Sequence, residues 1–251
     1  MRVARGADDA ADDPPRWPSG LMQYLAHYVF SSGNAFAPGH YIGLDRPINS
    51  DMPDTELRNA AFCLDPELGE IDTPHGRLQF LQIVGLTDDE YDIAQAWSTA
   101  KLLDLLAEQW PLLVTDLGRS SVTDLPATAD RISEGIARDG SSAGAAYVTQ
   151  LEWTVSAKQT RIVIGALAAP RIARSLRGRL PFDRPLSVDT QERKLTFVPG
   201  PALAFEAGPD GRELTVTVPG ALLEPLVAAL VPTEGVRDVA PGLAVEIIPT
   251  P

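Results

Sequence analysis

A strand-like run followed closely by a helix-capping box is the feature that most constrains the fold of this chain. Residues 78–84 are rich in apolar and strand-favouring side chains, and they predict a buried central strand. Thr87 and Glu90 then stand at the spacing of a capping box, which begins a helix. Apolar residues recur at helical spacing over 88–109 and predict one long helix. A strand and a helix are therefore expected side by side in the first half of the chain.

The other predicted elements do not alternate regularly between strand and helix. One helix is expected to begin near Trp17 and to end at residues 31–34. Further helices are predicted at 126–140, 170–177 and 220–230, and strands at 60–64, 112–114, 146–155, 160–167, 194–198, 202–206 and 213–218. This order argues against a doubly wound parallel sheet. It predicts an α+β fold in which mixed, largely antiparallel sheets pack with several helices.

The domain organisation follows from the composition of the N-terminus. Four aspartates and two prolines fall within residues 8–15 without apolar periodicity, so residues 1–16 are predicted to form a disordered acidic tail. Residues 17–251 are long enough to bury a core and are predicted to form one domain, with a weak internal boundary near 118–145.

The acidic residues are concentrated in the first half of the chain. The formal net charge is -13; residues 1–125 hold 20 acids and 8 bases, whereas residues 126–251 hold 14 and 13. Acidity keeps a protein soluble, and it also repels nucleic acid and anionic membranes while favouring cationic partners. We therefore expect a protein partner, with no nucleic acid and no membrane. The candidate partner-binding residues are Asp51, Asp54, Glu56, Asp88, Asp89 and Asp92.

The sequence predicts no catalytic, cofactor-binding or metal site. Cys63, the single cysteine, lies between apolar neighbours and is expected to be an inert core residue. The histidines His27, His40 and His75 are too scattered for a zinc pattern. Glycine-rich phosphate loops and nucleophile elbows are absent from the sequence. The lone cysteine also excludes an intrachain disulfide, and the N-terminus has no secretory apolar segment, so a cytoplasmic location is expected.

A cluster of arginines stands out in the second half. Its five members fall within residues 171–184, opposed only by Asp183; they are Arg171, Arg174, Arg177, Arg179 and Arg184. The cluster is open to three interpretations: a solvated surface, an intramolecular partner for the acidic half, or an anion site. An enzyme acting on a small anion would use the last of these.

Several ordered strings in the first half carry a family resemblance. They are Tyr28-Val29-Phe30 with Gly33-Asn34, then Pro38-Gly39-His40, Arg46-Pro47-Ile48, Asp65-Pro66, Ile71-Asp72-Thr73-Pro74-His75-Gly76, the run 78–87, and Thr115-Asp116-Leu117. In this order they resemble the suppressor-of-fused domain family. The resemblance covers about residues 17–120, and it extends more weakly over 176–182.

The resemblance implies a non-enzymatic domain that works through protein–protein contacts. Animal members of the family sequester a zinc-finger transcription factor, and bacterial members are similar to immunity proteins that neutralise toxins. Because the chain is short, it resembles the bacterial kind, and a basic toxin domain is the expected partner. A general scaffold or sequestering module remains the alternative. The identity of the partner, the interface and the oligomeric state stay open.

Overall fold

The computed structural model of the chain describes residues 1–6 and 14–250. The chain divides into two units, Met1–Gly135 (unit 1) and Ile136–Pro251 (unit 2). Each unit contains helices and mostly antiparallel sheets, which confirms the predicted α+β class.

The structure describes only part of the N-terminal tail predicted over residues 1–16. Its four aspartates lie outside the described residues. Residues 1–6 are described and lie on unit 1, where Arg2 forms ion pairs with Asp65 and Glu67. Val3 forms a parallel bridge with Thr115. These contacts order the first residues even though they have no apolar periodicity.

Unit 1 combines a three-stranded antiparallel sheet, a separate two-stranded ribbon and several helices. Its helices and strands are α1 (Trp17–Ser32), β1 (Tyr41–Gly43), β2 (Asn59–Leu64), β3 (Glu70–Thr73), β4 (Gly76–Gln79), β5 (Leu81–Leu86), α2 (Asp88–Ala96), α3 (Thr99–Gln109) and most of α4 (Pro126–Asp139), whose residues after Gly135 belong to unit 2. The sheet order is β1-β2-β5, and β3 pairs with β4. The predicted first helix is confirmed: Leu21 and Leu25 are buried one turn apart, and Gly33 ends the helix in the left-handed conformation.

The predicted central strand is divided and lies at a sheet edge. Residues 78–84 fall partly in β4 and partly in β5, and β5 is the last strand of its sheet. The segment after α3 covers this edge with side-chain hydrogen bonds instead of a strand ladder. Gln82 Nε2 donates to the carbonyls of Leu112 (2.8 Å) and Leu113 (3.0 Å), and the Gly85 amide donates to Thr115 Oγ1 (3.2 Å).

The strand predicted at 112–114 is therefore wrong. Residues Pro111–Leu113 form a 3-10 turn in which Leu112 and Leu113 have positive φ angles of 58° and 53°. Residues other than glycine rarely adopt this conformation, because their Cβ clashes with the backbone. The amide of Gln82 helps to hold it, because both leucine carbonyls accept from that one side chain.

The long helix predicted over 88–109 is interrupted. The capping box at Thr87 and Glu90 is present as predicted and begins α2. The helix ends at Trp97, whose backbone leaves helical geometry, and Ser98 is the N-cap of α3. Trp97 is 5% exposed and packs so closely on α4 that a Cβ at Gly135 would lie 2.3 Å from its ring. Burial of this indole accounts for the break.

Unit 2 contains a five-stranded and a four-stranded sheet with two helices. Its helices and strands are β6 (Ala145–Tyr147), β7 (Leu151–Val155), β8 (Thr160–Gly165), α5 (Ala169–Arg179), β9 (Leu186–Asp189), β10 (Lys194–Pro199), β11 (Ala204–Ala207), β12 (Glu213–Val218), α6 (Gly220–Ala229), β13 (Gly235–Ala240) and β14 (Leu243–Ile248). The sheet orders are β11-β12-β10-β9-β6 and β13-β14-β8-β7. Three strand pairs are parallel, namely β10 with β12, β8 with β14, and β6 with β9.

The core of unit 2 lies between its helices and the inner faces of its strands. Ile172 and Leu176 of α5 are completely buried, as are Ile162, Leu195 and Phe197 of the strands. The helices predicted at 126–140, 170–177 and 220–230 are confirmed. Throughout the part of the chain that is described, the helices are too short or too polar to cross a membrane.

Candidate functional site

A depression on unit 1 is lined by two of the predicted partner-binding acids. Its volume is about 240 Å³. One wall is the loop 52–56 and the other is the segment 117–120. Thr55 holds the walls together, because its buried hydroxyl donates to the Leu117 carbonyl at 2.8 Å. We call this feature the acidic depression.

The exposed carboxylates of this loop give the acidic depression its charge. Asp54 and Glu56 line it and are exposed. Asp51 is also exposed and begins the same turn, where its amide donates to Asn49 Oδ1 at 3.0 Å. The structure therefore places three of the six predicted acids on one loop. Met52 and Leu117 add apolar surface beside them.

Beneath the acidic depression lies a buried ion pair that the sequence analysis missed. Arg119 lines the depression yet is only 8% exposed, and Glu90 is completely buried. The two side chains form a bidentate pair, with Nη1–Oε1 and Nη2–Oε2 distances of 2.6 Å. Lone arginines and glutamates give no sequence signal for such a pair when 29 residues separate them.

Both members of this pair make further hydrogen bonds within unit 1. The Glu90 carboxylate also accepts from the amides of Thr87 and Val122, at 3.1 and 2.9 Å. Arg119 also donates to the carbonyls of Gly85 and Ser120, at 2.8 and 3.0 Å. The guanidinium therefore makes its contacts within unit 1, where the Glu90 carboxylate neutralises it. The carboxylates of the loop then dominate the charge of the depression.

The three predicted acids on α2 have different surroundings. Asp88 is exposed and accepts from Asn59 Nδ2 at 2.8 Å. Asp92 is exposed on the following turn. Asp89 is half-buried and accepts from the hydroxyls of Thr87, Ser121 and Thr123. Burial raises the pKa of Asp89, but these hydrogen bonds outweigh it and hold the pKa below its ordinary value.

The arginine cluster of unit 2 is used for internal contacts. Arg177 forms a 2.6 Å ion pair with Glu224. The other contacts go to backbone carbonyls: Arg171 donates to Tyr147, Arg179 to Pro185 and Ser141, and Arg184 to Asp139 and Ser141. Burial, together with the nearby Arg184 charge, lowers the pKa of Arg179. These contacts tie α5 to the loops of unit 2 and do not favour the anion-site interpretation.

The remaining candidates for chemistry do not converge. Within residues 1–6 and 14–250, the structure brings together no three His, Cys, Asp or Glu side chains that could hold a metal ion. Cys63 is half-buried in β2. Burial and the Asp65 charge raise the pKa of its thiol, which lowers the fraction of reactive thiolate at neutral pH.

Comparisons with known proteins identify relatives of the first half of the chain. The family model described as Suppressor of fused protein (SUFU) matches residues 1–120. The human suppressor of fused homolog is 35% identical over 148 residues, which cover 57% of this chain and 30% of the human protein. The mouse homolog matches with the same identity and coverage. The chain therefore spans less than a third of the length of these relatives.

A solved structure extends the likeness in fold to almost the whole chain. The crystal structure of Drosophila Suppressor of Fused superposes with a TM-score of 0.75 and covers 98% of this chain and 76% of that chain. The sequence identity is 19%, so this likeness concerns the fold alone.

Proposed function

Because the chain belongs to the suppressor-of-fused family, we propose that it is a non-enzymatic protein-binding domain whose unit 1 binds a basic surface of another protein. The observation that carries the proposal is the segregation of charge between the units. The sequence of unit 1 holds 22 acids and 9 bases, a net charge of -13, whereas unit 2 holds 12 of each. A cationic partner is therefore attracted to unit 1 in particular.

The contact surface that we propose is the acidic depression together with the exposed acids of α2. Asp51, Asp54 and Glu56 lie on one loop, and Asp88 and Asp92 lie on α2. Exposed carboxylates of this kind accelerate association and select the partner, more than they add to final affinity. Asp89 is left out of the surface, because its carboxylate is occupied by three hydroxyl groups of unit 1.

The partner that we propose is the basic toxic domain of a bacterial toxin, which the chain binds and neutralises. Support comes from the resemblance that the sequence strings of the first half carry and from the charge of unit 1. An acidic inhibitor is complementary to a basic toxin, since enzymes that act on nucleic acid carry positive surfaces. A general sequestering module is the competing function, and it predicts a housekeeping partner in place of a toxin.

Co-expression tests this proposal directly. Each candidate toxin gene found beside the gene of this chain is expressed in a sensitive host, with and without the chain. Growth is expected to return with the wild-type chain. Rescue is expected to weaken with the variant D51K/D54K/E56K.

The matched control reverses three exposed acids of unit 2, in the variant E192K/E206K/E234K, and is expected to rescue as well as the wild type. Rescue that survives reversal in unit 1, or that is lost equally in both variants, contradicts the proposed surface. A toxin that stays lethal in the presence of the wild-type chain contradicts the immunity role.

A further inference from the structure

The two-stranded ribbon of unit 1, residues 70–79, exposes an apolar face. Ile71 of β3 and Leu78 of β4 are directly paired across the strands, so their side chains share one face. Each is 45% exposed. Leu68, at the base of the ribbon, is 56% exposed. Isolated two-stranded ribbons are marginally stable in water, and a helix packed on the apolar face is one way in which proteins complete them.

The opposite face of the ribbon is polar and already paired within itself. Alternation along the strands places Glu70, Asp72, Arg77 and Gln79 on that face. Arg77 lies 3.5 Å from Glu70 and 4.0 Å from Asp72, and Gln79 donates to Glu70. The ribbon is therefore amphipathic, with its exposed apolar surface on one side only.

The base of the ribbon is held firmly. Asp65 accepts from both terminal nitrogens of Arg2, at 2.8 and 2.9 Å, and from the amides of Glu67 and Leu68. The Phe80 amide donates to the Gly69 carbonyl at 3.0 Å. These bonds fix the direction in which the ribbon leaves unit 1. An apolar surface held in this way loses little conformational freedom when a partner binds.

The charges around the apolar face determine what can cover it. Glu67, Glu70 and Asp72 lie on or beside β3, and Arg77 is the basic residue of the ribbon. Glu70 and Asp72 are the sequence neighbours of Ile71 and lie on the opposite face of a thin ribbon, so they act on a covering segment by long-range attraction that a Debye length of about 8 Å at physiological salt screens only in part. A covering segment with flanking lysines or arginines is attracted by them, whereas one with flanking carboxylates is repelled.

We propose that the apolar face of the ribbon docks a cationic amphipathic helix of the partner protein. The apolar stripe of the helix covers Ile71 and Leu78, and its basic residues are attracted by the net negative charge of residues 67–79, which hold three acids and one arginine. The inference rests on the proposed protein-binding function and adds a second contact surface, distinct in its residues from the acidic depression.

A designed peptide serves as the probe. It is an 18-residue amphipathic helix of leucine and lysine with leucines at i, i+3, i+4 and i+7, and a leucine–glutamate peptide of the same pattern is its control. Fluorescence anisotropy measures binding to the full chain. The lysine peptide is expected to bind with a Kd below about 1 mM and the glutamate peptide is not.

Two variants locate the probe on the ribbon. I71T/L78T keeps strand-favouring side chains, removes the apolar pair and is expected to raise the Kd about tenfold or more. E70Q/D72N is expected to weaken binding at low salt and to leave it unchanged at high salt.

Two matched controls are expected to stay within about twofold of the wild-type Kd. V155T/V236T alters two valines of unit 2 that are each 51% exposed on strands. D51N/D54N/E56Q neutralises the acidic depression and leaves the ribbon intact.

Each outcome decides the docking proposal. Equal binding by wild type and I71T/L78T overturns it, as does an equal loss in V155T/V236T. If only D51N/D54N/E56Q loses binding, the docking proposal is overturned, and the peptide binds at the acidic depression instead. If the wild-type chain self-associates in sedimentation and the I71T/L78T variant is monomeric, the apolar face binds a second copy of the chain. That result overturns the proposal of a cationic helix. Amide shifts confined to residues 68–80 on addition of the lysine peptide support docking even where I71T/L78T fails to fold.

Discussion

Removal of Arg119 is expected to destabilise unit 1 strongly. In the variant Arg119→Ala the carboxylate of Glu90 stays completely buried and loses the two 2.6 Å bonds that neutralise it. Breaking one partner of a buried pair costs about 3–5 kcal/mol. The carbonyls of Gly85 and Ser120 lose a donor as well. For a unit of this size, such a loss lowers Tm by roughly 10–20 °C.

Urea unfolding measures this effect. Fluorescence of Trp17, Trp97 and Trp110 reports on unit 1, and Trp153→Phe in all variants removes the tryptophan of unit 2. The matched control is Arg131→Ala, which removes an exposed 2.7 Å pair with Glu108 and is expected to cost no more than about 1 kcal/mol.

A hydrophobic replacement of the whole pair separates the cost of leaving a buried charge unpaired from the cost of losing the ion pair itself. E90L/R119M is expected to lose less stability than Arg119→Ala, because it leaves no buried charge unpaired. Equal unfolding free energies for Arg119→Ala and Arg131→Ala would refute the reasoning.

Two further outcomes test the packing and the electrostatics of unit 1. Gly135→Ala is expected to lower the unfolding free energy by about 1–3 kcal/mol in the same urea titrations, because its Cβ would meet the Trp97 ring at 2.3 Å. Gly20→Ala meets nothing within 4 Å and is expected to raise the unfolding free energy by about 0.5–1 kcal/mol. The pKa of Asp65 is held below its ordinary value, chiefly by hydrogen bonds from Arg2, so its contribution is present above about pH 4 and is lost as the pH falls further. Asp65→Asn is therefore expected to flatten the acid limb of the stability–pH curve, and an unchanged limb would contradict this assignment.

Local signals in the sequence predicted the elements that depend on neighbouring residues. The capping box at Thr87 and Glu90, the left-handed glycine after α1 and the amphipathic helices all rely on contacts within a few positions. The strands β9 and β14 were not predicted, and each of them pairs in parallel with a strand that is distant in sequence, β6 and β8 respectively. Pairing partners of this kind, and not local propensity, decide such strands.

The candidate site was likewise predicted where neighbouring residues define it and missed where distant residues do. Composition located the acids of the first half, and the structure placed Asp51, Asp54 and Glu56 on one loop. Sequence reasoning treated Asp89 as surface, but Ser121 and Thr123 enclose it from a segment more than thirty residues away. The sequence showed the arginines of unit 2 as a cluster. It did not show which groups accept their hydrogen bonds, because most of these acceptors are backbone carbonyls. Carbonyl acceptors leave no mark in a sequence.

The association rate with the proposed partner, a purified basic toxin domain, tests the central claim most directly. Stopped-flow measurements compare the wild-type chain, D51K/D54K/E56K and the unit 2 control E192K/E206K/E234K at low and high salt. A rate that falls about tenfold or more in the unit 1 variant at low salt, with the control near wild type, is the predicted result. Equal rates in all three proteins, or a wild-type rate that does not change with salt, would contradict binding through the acidic surface of unit 1.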